Sequence, residues 1–226
     1  RDDISISNGR FWFSYAAPGN VNEIVLGEYT ESTVYFLLDG GQYFNDADSV
    51  KAGGIDFSMQ WVHVCGAWDS ESGVATVSVN GEAKATKENF KKGITLEAGG
   101  NLVIGQEQDS SGGSFELSQS FVGELYNINV WDYALSSNEV ASLYNAGFCG
   151  LGKTETGPII SWADLLGQPK AGHLASVDGH CPDLTVDPDY TVGHNQILNF
   201  ASESTENYIS YNPGLPALTG VTVCGW

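Results

Sequence analysis

Val74-Ala-Thr-Val-Ser-Val-Asn-Gly-Glu-Ala-Lys-Ala-Thr86 alternates apolar and polar residues on both sides of Asn80-Gly81. Ala75, Val77 and Val79 fall on one face and Thr76 and Ser78 on the other, the period of a half-buried strand. Asn-Gly between two such runs marks a two-residue turn. The stretch therefore predicts a hairpin with one face in a core and one in water, Ala83 and Ala85 returning opposite Glu82, Lys84 and Thr86. Residues 4–15, ISISNGRFWFSY, repeat the pattern around Asn8-Gly9. Further strands are predicted at 23–29, 33–38, 60–68, 101–106 and 121–131, each bounded by Gly, Asp or Asn. Strand-like sequence returns at 196–211 and 218–226. A single helix is predicted at 137–146, where Ser136 and Glu139 form a capping box, Val140, Leu143 and Tyr144 an apolar stripe, and Gly147 a C-terminal stop. The expected fold is all-β, a two-sheet antiparallel sandwich with one short helix.

Composition agrees. The 226 residues include ten Tyr, ten Phe, six Trp and 28 Gly but one Met, as short strands and tight turns require. Nine basic residues against 28 acidic ones give a formal charge of −19, which disfavours nucleic acid and anionic membrane and favours cations. No apolar run approaches the ~18 residues of a membrane-spanning helix, so no membrane insertion is expected. Cys65, Cys149, Cys181 and Cys224 are even in number and widely spaced, without CxxC pairs. Two disulfides, and hence an extracellular, secreted protein, are the natural reading. A zinc site from His173, His180, Cys181 and His194 is the competing one.

Chemistry concentrates in Ile104-Gly-Gln-Glu-Gln-Asp-Ser-Ser-Gly-Gly-Ser-Phe-Glu-Leu-Ser-Gln119. Glu107 and Asp109, two apart at a strand end, put their carboxylates on one face, with the Gln108 carbonyl between them. Gly112-Gly113 lets the chain turn back so that Glu116 and Gln119 approach the same place. All five donors are hard oxygens, which selects calcium over zinc or copper.

Residues 104–133 closely resemble the calcium loop and following strand of the pentraxins. His63-Val-Cys-Gly-Ala-Trp-Asp-Ser70 is similar to that family's HxCxxWxS signature, and Phe13-Ser-Tyr-Ala16 and Asn22-Glu-Ile-Val25 fall at matching intervals. The resemblance implies a jelly-roll, concanavalin-like sandwich and one or two calcium ions. Glu107, Asp109 and the Gln108 carbonyl would bridge the two ions, Glu116 and Gln119 complete the second, and Asn22 serve the first. Where the family often has Asp, Val21 stands before Asn22, which weakens the first ion's shell unless Asn20 substitutes. Gly27 occupies the place of the phosphocholine-pocket aromatic, so that ligand is not implied. The resemblance also pairs Cys65 with Cys224, leaving Cys149 to pair with Cys181 and pin 167–195 to the helix end.

Catalysis is not expected. Glycosidases of related sandwich shape resemble ExDxE, but Ser111 stands where the third acidic group belongs, and no other nucleophile or metalloprotease motif occurs. His63 reads as a structural residue. Binding or assembly remains. Residues 1–166 resemble a pentraxin domain lacking its first strands, 167–195 a connector, and 196–226 the opening strands of such a domain. This permuted order, with a chain that starts at Arg1, leads us to expect one period of a tandem-repeat fibre in which Cys224 of one copy meets Cys65 of the next. The partners would then be neighbouring copies or a homo-oligomer. The alternative is a lectin-like recognition protein that captures anionic small-molecule or glycan ligands through calcium.

Overall fold

The computed structural model describes residues 9–30, 32–42, 45–58, 60–147, 152–172, 174–178, 196–212 and 214–226. Its strands are β1 (Arg10–Ala17), β2 (Asn20–Thr30), β3 (Thr33–Leu38), β4 (Ser49–Ala52), β5 (Val64–Asp69), β6 (Val74–Val79), β7 (Glu82–Lys87), β8 (Asn101–Ile104), β9 (Gly123–Leu125) and β10 (Asn129–Trp131). After α1 (Ser137–Asn145) and α2 (Trp162–Leu166) come β11 (Lys170–Ala171), β12 (Ala175–Asp178), β13 (Gln196–Phe200), β14 (Tyr208–Tyr211) and β15 (Gly220–Gly225). A seven-stranded sheet of order β11-β14-β8-β1-β2-β3-β4 faces a five-stranded sheet of order β10-β15-β5-β6-β7. A small third sheet, β12-β13-β9, was not anticipated.

The quoted hairpin forms as β6–β7, with Asn80 and Gly81 both at positive φ, 51° and 80°. Ala75, Val77 and Val79 are buried. The return strand differs. A bulge after Val77 shifts the register, and β7 is the sheet's edge, so Ala83 is exposed and Ala85 only half-buried. The Asn8-Gly9 turn lies partly outside the described residues, and β1 instead makes its tight hairpin with β2, Ala17 facing Asn20.

Other boundaries move where the backbone forces them. The strand predicted at 101–106 stops at Ile104 because Gly105 adopts φ 91°. The run 121–131 splits into β9 and β10. Asn127, at φ 53°, turns the chain from the third sheet into the five-stranded one, while Tyr126 exchanges two backbone hydrogen bonds with Trp226. Helix α1 carries the expected capping box, and Gly147 follows its end at φ 76°. Helix α2 was missed. It is five residues long, capped by Ser161 and Asp164, and held by burial of Trp162 and Leu165 rather than by any extended stripe. Within the predicted connector, residues 170–171 and 175–178 are strands. Cys149, Cys181, His173, His180 and His194 lie outside the described residues, so both the second disulfide and the zinc alternative do too.

Between the sheets, Phe13, Tyr15, Ile24, Leu26 and Phe36 pack against Trp68, Val77, Val221 and Val223, all nearly inaccessible. Trp68 satisfies its indole by donating to the Phe90 carbonyl at 2.9 Å. The Tyr15 hydroxyl donates to the Glu97 carbonyl at 3.0 Å and accepts from Gly100 N at 2.9 Å. β15 lies between β10 and β5, and its Cys224 bonds Cys65 directly across the strand pair, within one chain. His63, 3% exposed, packs beside this disulfide, with its ring 5.0 Å from Trp226 and 6.2 Å from Tyr144. It is structural, as expected.

Candidate metal centre

Residues 105–121 leave β8 and return to the sheet as one closed loop, Phe121 N donating to the Gly105 carbonyl at 3.0 Å. Glu107 follows the end of β8 by three residues, so strand alternation does not orient it. The buried Gln108 side chain does this work instead. Its Nε2 donates to Ser14 Oγ at 2.9 Å, Ser14 O at 3.1 Å and Asn101 O at 3.0 Å. Its Oε1 accepts from Gly112 N at 2.7 Å. These bonds fold the loop back over the seam of β1 and β8 and commit the Gln108 side chain to the protein. Its carbonyl is left as the group able to face a cation.

Gly112 serves this turn in two ways. Its φ is 75°, and a Cβ there would stand 2.4 Å from Asn101 Nδ2. Backbone bonds link Ser110 and Gly113 in both directions. Phe115 then packs on Tyr208, 4.7 Å between ring centres. A 3-10 turn at Leu117–Gln119 brings Gln119 N to the Glu116 carbonyl at 2.9 Å.

Among the expected donors, Glu107 and Gln108 are buried and Asp109 and Glu116 exposed. The three carboxylates are not drawn together. Among the described residues the one trio of His, Cys, Asp or Glu with ligand atoms within 4.8 Å is His63, Cys65 and Cys224. Its sulfurs are committed to the disulfide, so it offers no thiolate to a metal. Two amide oxygens among the expected donors are more informative. Asn22 Oδ1 and Gln119 Oε1 are buried and accept no hydrogen bond, a cost of roughly 1–3 kcal/mol for each unless something else meets them. A hard cation is a group that meets such an oxygen, and carboxylate, amide and carbonyl oxygens are the donors calcium takes.

Asn22 itself is held from below. Its N donates to Asn20 Oδ1 at 3.2 Å and its Nδ2 to the Gly41 carbonyl at 3.2 Å. Asn20 in turn donates to Glu23 Oε2 at 2.7 Å, so Asn20 braces Asn22 rather than standing in for the missing Asp. Glu23 also accepts from Glu97 N. Burial, then the charges of Asp39 and Glu97, push its carboxyl above the usual range. Sequence reasoning missed Ser14, Asn101 and Glu23 as supports. Ser14 and Glu23 were visible only as parts of the Phe13–Ala16 and Asn22–Val25 resemblances, and nothing local marks Asn101.

Around Gly27 the chain fills its own space. A Cβ there would lie 2.6 Å from the Phe11 ring and 2.7 Å from the Arg10 carbonyl, and Phe11 is fully buried. The outward departure at Val21 is also real, since that side chain is 37% exposed.

Comparison with known proteins is consistent with this arrangement. A Pentaxin family model matches residues 2–170. The chain is similar to C-reactive protein of Oryctolagus cuniculus, 35% identical over 163 residues, which cover 72% of this chain and 66% of the relative. It is similar also to neuronal pentraxin-2 of Cavia porcellus, 37% identical over 153 residues, 67% of this chain and 33% of the relative. The matches thus span under two thirds of each relative's own length. A heptameric SAP-like pentraxin from Limulus polyphemus superimposes with a TM-score of 0.57 at 29% identity, over 68% of this chain and 71% of that one. The matched residues include the whole 105–121 loop, Asn22 and the strand bearing Cys65, and on this evidence the chain belongs to the pentraxin family.

Proposed function

We propose that the protein is an extracellular, non-catalytic calcium-binding module that recognises anionic ligands through the metal and assembles with copies of itself. Glu107, Asp109, Glu116, Gln119, the Gln108 carbonyl and Asn22 would hold the calcium, one ion or two. The reading is carried by the two buried amide oxygens, Asn22 Oδ1 and Gln119 Oε1, which accept no hydrogen bond. Calcium bound there supplies a concentrated positive charge on an otherwise strongly acidic protein, and with it affinity for phosphate or carboxylate. The protein's own part is to hold the loop through Gln108, keep Asn22 in place through Asn20 and Glu23, and leave Asp109 and Glu116 at the surface. The filled space at Gly27 speaks against a phosphocholine-like pocket beside the ion.

A second reading, a permuted domain closed by its own last strands in place of the expected head-to-tail array with Cys224 of one copy bonded to Cys65 of the next, is favoured by a specific observation. The family match ends at residue 170, yet β14 and β15, beyond it, complete the seven- and five-stranded sheets. The Cys65–Cys224 bond within one chain supports completion of the sandwich by its own last strands, a permuted and self-contained domain. Intact mass of native material before and after reduction separates the two, since multiples of 24.1 kDa that persist on reduction would establish the array.

Calorimetric titration with calcium tests the main reading. Binding should be detected, and Asp109→Asn should weaken it more than Asn22→Ala, because it removes a charge that serves both ions. Absence of binding heat, together with identical melting in excess calcium and excess EDTA, would refute the assignment.

A further inference from the structure

Strands β8 and β9 lie at the two ends of the 105–121 loop, and each is paired with a strand from the last part of the chain. β14 pairs with β8, Ile209 facing Ile104, and β13 pairs with β9, Phe200 facing Gly123. Residues 201–207, which join β13 to β14, therefore span the same interval as the loop. β8 is also held by β1 on its other side, whereas β9 among the described strands is held by β13 alone.

Side chains join the two connections along their length. At the base of the loop the buried Phe200 ring stands edge-on to Phe121, 5.5 Å between ring centres, and a Cβ on Gly105 would lie 2.1 Å from it. Gln106, fully buried, donates from Nε2 to the Ser204 carbonyl and, at 3.3 Å, to the Asn207 carbonyl. Farther out, Phe115 packs on Tyr208. Ser210 Oγ donates to Asn101 Oδ1 at 2.9 Å, and this is the Asn101 whose carbonyl accepts from Gln108 and whose amide lies against Gly112. These supports alternate with the expected donors. Gln106 precedes Glu107, Phe115 precedes Glu116, and Phe121 follows Gln119 by two residues. Whatever fixes the donors thus also fixes the neighbours that dock on 200–210, and release of that segment frees the donors.

We propose that residues 196–211 are the positioning element of the 105–121 loop, so that undocking of the segment opens the loop and calcium in the loop holds the segment down. Phe200, Tyr208 and Ser210 act through the loop and touch no ion. All lie beyond residue 170, where the family match ends. The calcium half of this inference rests on the reading given above, and the dependence of the loop on the segment does not.

Amide hydrogen exchange of the intact chain, resolved by residue, tests both halves. Tyr208→Ala removes the ring beneath Phe115, and Ser210→Ala removes only the bond to Asn101. In excess EDTA each should speed exchange of the Gln119 and Phe121 amides, both hydrogen-bonded within the loop, roughly three- to tenfold. Ser136→Ala, which weakens the fold through α1, should leave these rates unchanged, because loop and segment open without global unfolding. In the native protein, calcium at about 100 times its Kd should slow exchange of the β13 and β14 amides roughly a hundredfold. A segment with a merely structural role would open with calcium still bound, and its rates would not respond to the ion. Unaltered loop exchange in both variants overturns the proposal, as does acceleration by Ser136→Ala. So do β13 and β14 rates that ignore calcium in a protein that binds it by calorimetry. Absence of binding heat refutes the calcium reading alone, and loop exchange in EDTA then decides the positioning role by itself.

Discussion

Acidification should unfold this protein partly through one imidazole. His63 is buried beside the Cys65–Cys224 bond and against the stacked pair Tyr144 and Trp226, and burial lowers its pKa from 6.5 to about 4. In the unfolded chain it titrates at its ordinary value. Between these two values the unfolded state therefore binds more protons, so stability is full above pH 6.5 and is lost as pH falls toward 4. The full difference corresponds to about 3 kcal/mol, and between pH 7.5 and pH 5 the loss is about 2 kcal/mol. His63→Phe keeps an aromatic ring in the slot and removes the titration. The His63 amide still reaches Asn80 Oδ1, at 3.0 Å, because that bond is made by the backbone. Urea unfolding of both proteins at pH 7.5 and pH 5, in constant excess EDTA, gives the assay. The native protein should lose about 2 kcal/mol more than the variant on going to the lower pH. Equal losses, or a native-state imidazole that titrates near 6.5 by NMR, would refute the argument.

Reduction of Cys65–Cys224 under native conditions should cost about 5 kcal/mol by loop entropy, given its separation of 159 residues; unchanged chemical unfolding with and without reductant would contradict it. Ser136→Ala removes one side of the α1 capping box, in which burial would raise the Glu139 carboxyl but bonds from Ser136, Glu155 N and Tyr133 hold it at about 2. A loss of roughly 1 kcal/mol is expected in thermal melting, and none if the box is ornamental. Gly112→Ala should cost about 1–2 kcal/mol for the positive φ alone and weaken calcium binding by displacing Asn101. Unaltered calcium affinity would show that the Gln108–Gly112 clamp does not shape the site.

What the sequence determined by itself is what rests on short-range chemistry. Alternation around Asn80-Gly81 specifies a hairpin because side-chain direction in a strand repeats every two residues, and Ser136 with Glu139 specifies a helix start because both partners lie within one turn. The candidate donors of the 107–119 loop could be proposed from sequence because oxygen-rich, His-free spacing within a dozen residues points to a class of metal. Only the tertiary structure decided the rest. Gln108 meets Ser14 from 94 residues away, so no window of sequence shows that the fold, not strand alternation, aims the loop. The break between β9 and β10 depends on Tyr126 finding Trp226 at the far end of the chain. Helix α2, too short for a periodic stripe, exists because Trp162 and Leu165 are buried by distant strands. Phe11 closing the space at Gly27 follows from register across β1 and β2. Register is a property of paired strands, and neither strand carries it alone.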